Sequence, residues 1–162
     1  MGLLDKLKSV RRIISGSGAE VTVEVGKALV GERAPVVVRA KVGESELKIS
    51  AVYLLVRGCE EVLVEAEAMR QRITQMEAEM HPEATLDDEV FMEETFSIRV
   101  DIAGEQQLAA NGEYEWTGEL EIPGDALPSY LGRRCAHIWR IQAGLDAFGN
   151  DPDSGWVEFT VE

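Results

Sequence analysis

Histidine, cysteine and cationic side chains are all scarce in this chain of 162 residues, which has two His, two Cys and 16 Lys plus Arg against 30 Asp plus Glu. His81 and His137 stand far apart, so the sequence gathers no imidazoles for zinc. Cys59 and Cys135 have neither the number nor the close spacing of a metal knuckle or redox pair. With no stretch of secretory-signal type, they read as reduced thiols in a cytosol. A formal net charge of −14 leaves few cations to neutralise phosphates, which argues against nucleic acid as a partner. No apolar run approaches the ~20 residues that a spanning helix requires. Ser129, His137 and Asp146 supply the residue types of a catalytic triad, but neither a nucleophile elbow nor an oxyanion-hole motif accompanies them. The chain therefore reads as non-enzymatic, with no cofactor and no resident metal.

What is present begins with a segment unlike the rest. In residues 1–14, Leu3, Leu7, Val10 and Ile14 recur at helical spacing, surrounded by Lys6, Lys8, Arg11 and Arg12. Gly16 and Gly18 end the pattern. Residues 1–18 are thus expected to form a short basic amphipathic helix on a Gly/Ser hinge, with a net charge of +3 over the first 14 residues against −17 for the remainder. A helix of about 12 residues is marginal alone in water, so its apolar stripe needs a cover: the domain itself, a second copy in a homo-oligomer, or an anionic lipid surface.

From Glu20 the period changes to two. Val21, Val23 and Val25 alternate with polar residues, Val36–Val42 is rich in β-branched side chains, and Ile49–Arg57 is apolar on both parities, as in a central strand covered on each face. Phe96, Ile98, Val100 and Ile102 follow. Tyr114, Trp116, Leu120 and Ile122 then alternate with Glu113, Glu115, Glu119 and Glu121, giving one wet face. Cys135, His137, Trp139, Ile141, Ala143 and Leu145 share one core parity, with Val157, Phe159 and Val161 facing them from the last segment. About seven or eight such strands joined by Gly and Pro turns predict one all-β domain over residues 19–162, an antiparallel immunoglobulin-like sandwich. A domain of this length hides roughly 70% of the surface its unfolded chain exposes, so no disulfide framework is needed.

Propensity and topology conflict between Glu60 and Glu89. A strand over Glu61–Ala68 is expected to extend the preceding hairpin, followed by an irregular or short helical excursion ending at His81 and Pro82. Met69, Ile73, Met76 and Met80 fall there at helical steps. Met69, Met76 and Met80 read either as packing against the sandwich or as a partner groove, because methionine repacks easily.

Two loops invite chemistry. In EIPGDALPSYLG, Pro123 and Pro128 stop one strand and hold the chain extended toward the next, while Tyr130 packs over the crossing with its hydroxyl on a backbone acceptor. Asp146, Asn150, Asp151 and Asp153 put oxygen ligands into one loop, without the regular ladder of a calcium hand, and a polar turn explains the same residues.

The ordered segments GKALVGERAPVVVRAKV, ISAVYLLVRG, LEIPGDALPSYLG and HIWRIQAGLDAFGNDPDSGWVEFTV resemble the amino-terminal half of an arrestin-like protein, nearest to the bacterial sporulation-control proteins of that family. The shared features are the Gly31-Glu32 turn, the Ile122-Pro123 strand end and the Pro128–Gly132 corner. The resemblance implies an arrestin-type sandwich acting as a non-enzymatic scaffold or regulator that meets protein partners through loops and strand edges, and it transfers no binding residue. Arrestin relatives pair two sandwiches, whereas this sequence holds one. The alternatives are a membrane-surface protein anchored through Leu3, Leu7, Val10 and Ile14, and a calcium- or carbohydrate-binding sandwich.

Overall fold

Alternating burial selects the elements of the fold. In the computed structural model, which describes residues 18–65 and 89–162, the described residues form nine strands and no helix. These are β1 (Ala19–Val25), β2 (Arg33–Val42), β3 (Leu47–Val64), β4 (Glu89–Ala103), β5 (Gln106–Leu108), β6 (Glu113–Glu121), β7 (Tyr130–Leu131), β8 (Cys135–Ala147) and β9 (Val157–Phe159). The expected helix bearing Leu3, Leu7, Val10 and Ile14 lies outside the described residues, as do Met69, Met76, Met80 and His81.

The strands make two antiparallel sheets. One has the order β1-β2-β6; the other has the order β4-β3-β8-β7, with β5 added to β3 and β9 to β8. Ala34, Val36, Val38, Ala40 and Val42 of β2 point to the same core as Val52, Leu54 and Val56 of β3 and Trp139, Ile141, Ala143 and Leu145 of β8. The alternation read from the sequence thus places the core correctly. On the outer face of the small sheet, the β6 glutamates meet cations of β2: Arg39 pairs with Glu115 at 2.7 Å and Arg33 with Glu119 at 3.2 Å. Exposed pairs of this kind add little stability, but they favour one register.

The motif residues prove to be seams between elements. Gly31, with φ at 78°, lets the chain turn so that its N–H donates to Ile122 O at 3.0 Å, while Ile122 N–H donates to Glu32 O at 2.9 Å. The Gly-Glu turn and the Ile-Pro strand end therefore hold each other. At the other seam, Ser129 N–H donates to Val161 O and Val161 N–H to Ser129 Oγ. The last residues also knit back to the loop after β1, through Val30 N–H to Glu162 O at 2.9 Å and Glu162 N–H to Ala28 O at 3.0 Å.

Three expectations change in detail. Strand character does continue past Glu60, but as the last four residues of an 18-residue β3 that ends at Val64, residues 66–68 lying outside the described residues, and its partner β4 begins at Glu89, well before Phe96. The sequence hid this because EVFMEET is polar and apolar without clean alternation. Cys135 shares the core parity of β8 yet is exposed, since no second sheet faces it there. Ile98 on the edge strand β4 is likewise 41% exposed. Finally, β3 is covered on both faces only over Ala51–Leu54; Arg57 is exposed.

Candidate functional site

The large sheet outruns the small one. Beyond Gly58 of β3, a blade built from the end of β3, the starts of β4 and β8 and the short β7 overhangs, and among the described residues no strand of the small sheet pairs with it. Six of the nine exposed large hydrophobic residues among the described ones belong to this blade or to the loop beneath it: Val62, Val90, Phe91, Met92, Leu127 and Leu131. Register aligns them. Leu63 lies opposite Val90, Val62 opposite Phe91, and one row runs Met92, Glu61, Ala136, Leu131 across four strands.

A polar spine underlies this apolar end. On the inner face the register row Glu93, Glu60, His137, Tyr130 crosses the sheet. Tyr130 is half-buried and donates its hydroxyl to the Glu60 carboxylate, which corrects the expectation of a backbone acceptor. Strand pairing sets Glu60 in the same row as Tyr130, one strand beyond His137. That bond pushes the Tyr130 phenol up to about 12. His137, expected in the interior, is 1% exposed. Its Nδ1 lies 3.2 Å from Pro128 O, an acceptor only, so Nδ1 carries a hydrogen, and Nε2 shares a hydrogen bond of 2.6 Å with the Thr95 hydroxyl.

Gly58 makes this reach across β3 possible. A β-carbon there would stand 3.1 Å from Thr95 Oγ1 and 3.2 Å from His137 Cε1. Without one, β4 contacts β8 over the intervening strand: Thr95 meets His137, and the Phe96 ring lies 5.2 Å from Trp139. Thr95 is the extra residue of a bulge, because Gly58 pairs with Phe96 while Cys59 pairs with Glu94. Below it, Thr95, Phe96, Pro123, Asp125, Ala126 and Leu127 line a cavity of about 220 Å³ with Trp139 behind.

Charge around the blade is lopsided. Arg57 pairs with Glu94 at 3.4 Å, Arg134 with Glu65 at 2.9 Å and Arg140 with Glu61 at 3.2 Å. Glu89, Glu93 and Asp125 have no cation among the described residues, so the blade offers apolar side chains edged by uncompensated carboxylates.

The other two candidate sites use their groups internally. Asp151 accepts from Ala147 N–H at 3.1 Å and from the Tyr53 hydroxyl at 3.3 Å, Asp153 accepts from Gly155 N–H at 2.7 Å, and Asp146 takes Arg99 at 3.1 Å. These carboxylates brace a loop; among the described residues no three metal-ligating groups converge. Ser129, His137 and Asp146 bond to Val161, to Thr95 and Pro128, and to Arg99 respectively, and not to one another.

Tyr53, on the outer face, has its phenol pushed up to about 12, first by burial and then by Asp151. An unfolded tyrosine ionises near 10, so at pH values between 10 and 12 the unfolded chain sheds a proton that the native state retains. Stability is expected to fall as pH rises through that window. Tyr53→Phe should lessen the fall, and Tyr53→Phe with Tyr130→Phe should remove most of it, as measured by denaturant melts across the range. An unchanged decline in the double variant contradicts this.

No family model matches the sequence, and no curated protein matches it. Solved structures do. The fold is similar to part of Spo0M, the sporulation control protein from Bacillus subtilis. The superposition has a TM-score of 0.59 at 15% identity and covers 90% of this chain and 50% of Spo0M, so the chain spans half the length of that structure. At this identity the likeness establishes shared architecture alone, and the expected antiparallel all-β sandwich holds at that level. The residues that sequence reasoning missed are Val90, Phe91 and Met92. Their signal was an apolar triplet between glutamates.

Proposed function

We propose that this domain is a non-enzymatic binding module of the arrestin-like regulatory type, capturing a protein partner on the overhanging end of its large sheet. The observation that carries the reading is the concentration of exposed apolar side chains there. Val90, Phe91 and Met92 are 60%, 52% and 64% exposed on consecutive positions of one strand, where a stable soluble domain gains nothing from leaving them wet. Carboxylates around the patch repel anionic lipid and nucleic acid, leaving protein as the complementary class of partner. The likeness to a sporulation control protein supports a regulatory rather than a metabolic role, and two cysteines left unpaired by the fold, Cys59 and Cys135, suit the cytoplasm.

The test is site-directed photocrosslinking in the native host. A benzophenone side chain in place of Met92 is expected to yield discrete protein adducts, whereas the same group in place of Glu119 on the small sheet should yield none. Equal adducts from both positions, or adducts from Glu119 alone, refute the assignment.

A further inference from the structure

We propose that the free edge of β4 over Glu89–Glu94 receives an extended peptide as an added strand, an apolar centre flanked by basic residues, with one long cationic side chain entering the cavity beside Asp125. This rests on the overhang being a protein-binding face, and it names the partner's chemistry and the mode of docking.

Three observations converge. First, β4 ends its sheet: β3 pairs one side, and among the described residues no strand pairs the other. An edge strand presents a row of backbone donors and acceptors, and native sheets blunt such rows with bulges or charge. Here the bulge sits at Thr95, so the six residues before it run regularly, an edge of about 20 Å. Second, the side chains along this edge alternate in a way a partner strand reads. Pairing with β3 sends Glu89, Phe91 and Glu93 to the inner face and Val90, Met92 and Glu94 to the outer, so each face shows apolar and acidic residues together. Cross-strand pairs favour apolar against apolar and opposite charge against charge. A second copy of this strand would set its own glutamates against these and is disfavoured by the same rule. Third, the cavity lies next in line on the inner face, where Thr95 and Phe96 meet the loop of Pro123–Leu127. Asp125 is its one charged lining residue and is exposed with no cation near it among the described residues, so the group that fits is a lysine or arginine side chain.

The probe is a fluorescein-labelled peptide, acetyl-Lys-Lys-Val-Val-Val-Lys-Lys-amide, which sets valines against Val90, Phe91 and Met92 and lysines against the glutamates in either strand direction, titrated with the full chain and followed by anisotropy. Saturable binding is expected. N-methylation of two consecutive central amides, which leaves charge and side chains intact, should weaken it by at least about tenfold. Glu93→Gln with Asp125→Asn, both at exposed positions, should weaken it by about fivefold. Equal binding of the N-methylated peptide means electrostatic sticking without strand addition and overturns the inference. So does absence of binding, or a protein dimer in light scattering that the peptide dissolves. Each of those results leaves the crosslinking test at Met92 unaffected, so the docking mode and the location of the binding face fail separately.

Discussion

Trp139→Ala is expected to lower stability by about 3–5 kcal/mol, the upper range for truncating one core side chain. The indole is fully buried at the join between core and overhang. Its ring lies 5.2 Å from Phe96, 5.6 Å from His137 and 6.0 Å from Phe159, so its removal leaves a hole bounded by three strands. Its Nε1–H also donates to Leu127 O at 2.9 Å, pinning the loop that floors the cavity. Alanine forfeits the buried area and strands that carbonyl. Domains of this size are stable by only about 5–15 kcal/mol, so the variant sits near the edge of folding. Urea unfolding checks it: the midpoint should fall at constant slope, and Trp139→Phe should recover much of the loss by refilling the space without the N–H. A loss under about 1 kcal/mol would show that the surroundings collapse freely onto the site.

The second large effect is at Gly144. It pairs directly with Tyr53, and a β-carbon there would stand 2.3 Å from the tyrosine ring. The ring lies against this bare stretch of backbone, held from its other side by the Arg99 guanidinium at 4.2 Å and at its tip by Asp151. Gly144→Ala must drive Tyr53 out of its place, exposing a side chain that is 6% accessible and ending both contacts. The expected cost is about 2–3 kcal/mol. The same change made in a Tyr53→Ala background should cost almost nothing, because the clash has no second party. Additive losses in that double-mutant cycle would place the penalty in the backbone of β8 instead.

The fold was legible where one face of a strand meets the core and the other meets water. Val21 and Val23, the alternate residues of β2, and Trp139 through Leu145 are buried as their parity requires. Parity cannot say where the facing sheet ends, and that limit governs the site. Cys135 and His137 occupy equivalent steps of β8, yet one is exposed and the other enclosed by Pro128, Thr95 and Trp139. Nor does sequence show that Gly58 clears a path across β3, since its role depends on side chains from strands on either side. The phenol of Tyr130 found a carboxylate for the same reason: residue 60 is adjacent only after the sheet is formed. Met69, Met76 and Met80 lie outside the described residues.

The bonds from Ala28, Val30 and Ser129 to Val161 and Glu162 carry a consequence for synthesis. Contacts between residues so far apart in the chain form late, after costly loop closure. A ribosome releasing this chain emits both halves of the core before the clasp that joins them. Until Val161 and Glu162 leave the exit tunnel, the valine-rich early strands stay half-clad, and chaperone shelter matters most in that interval.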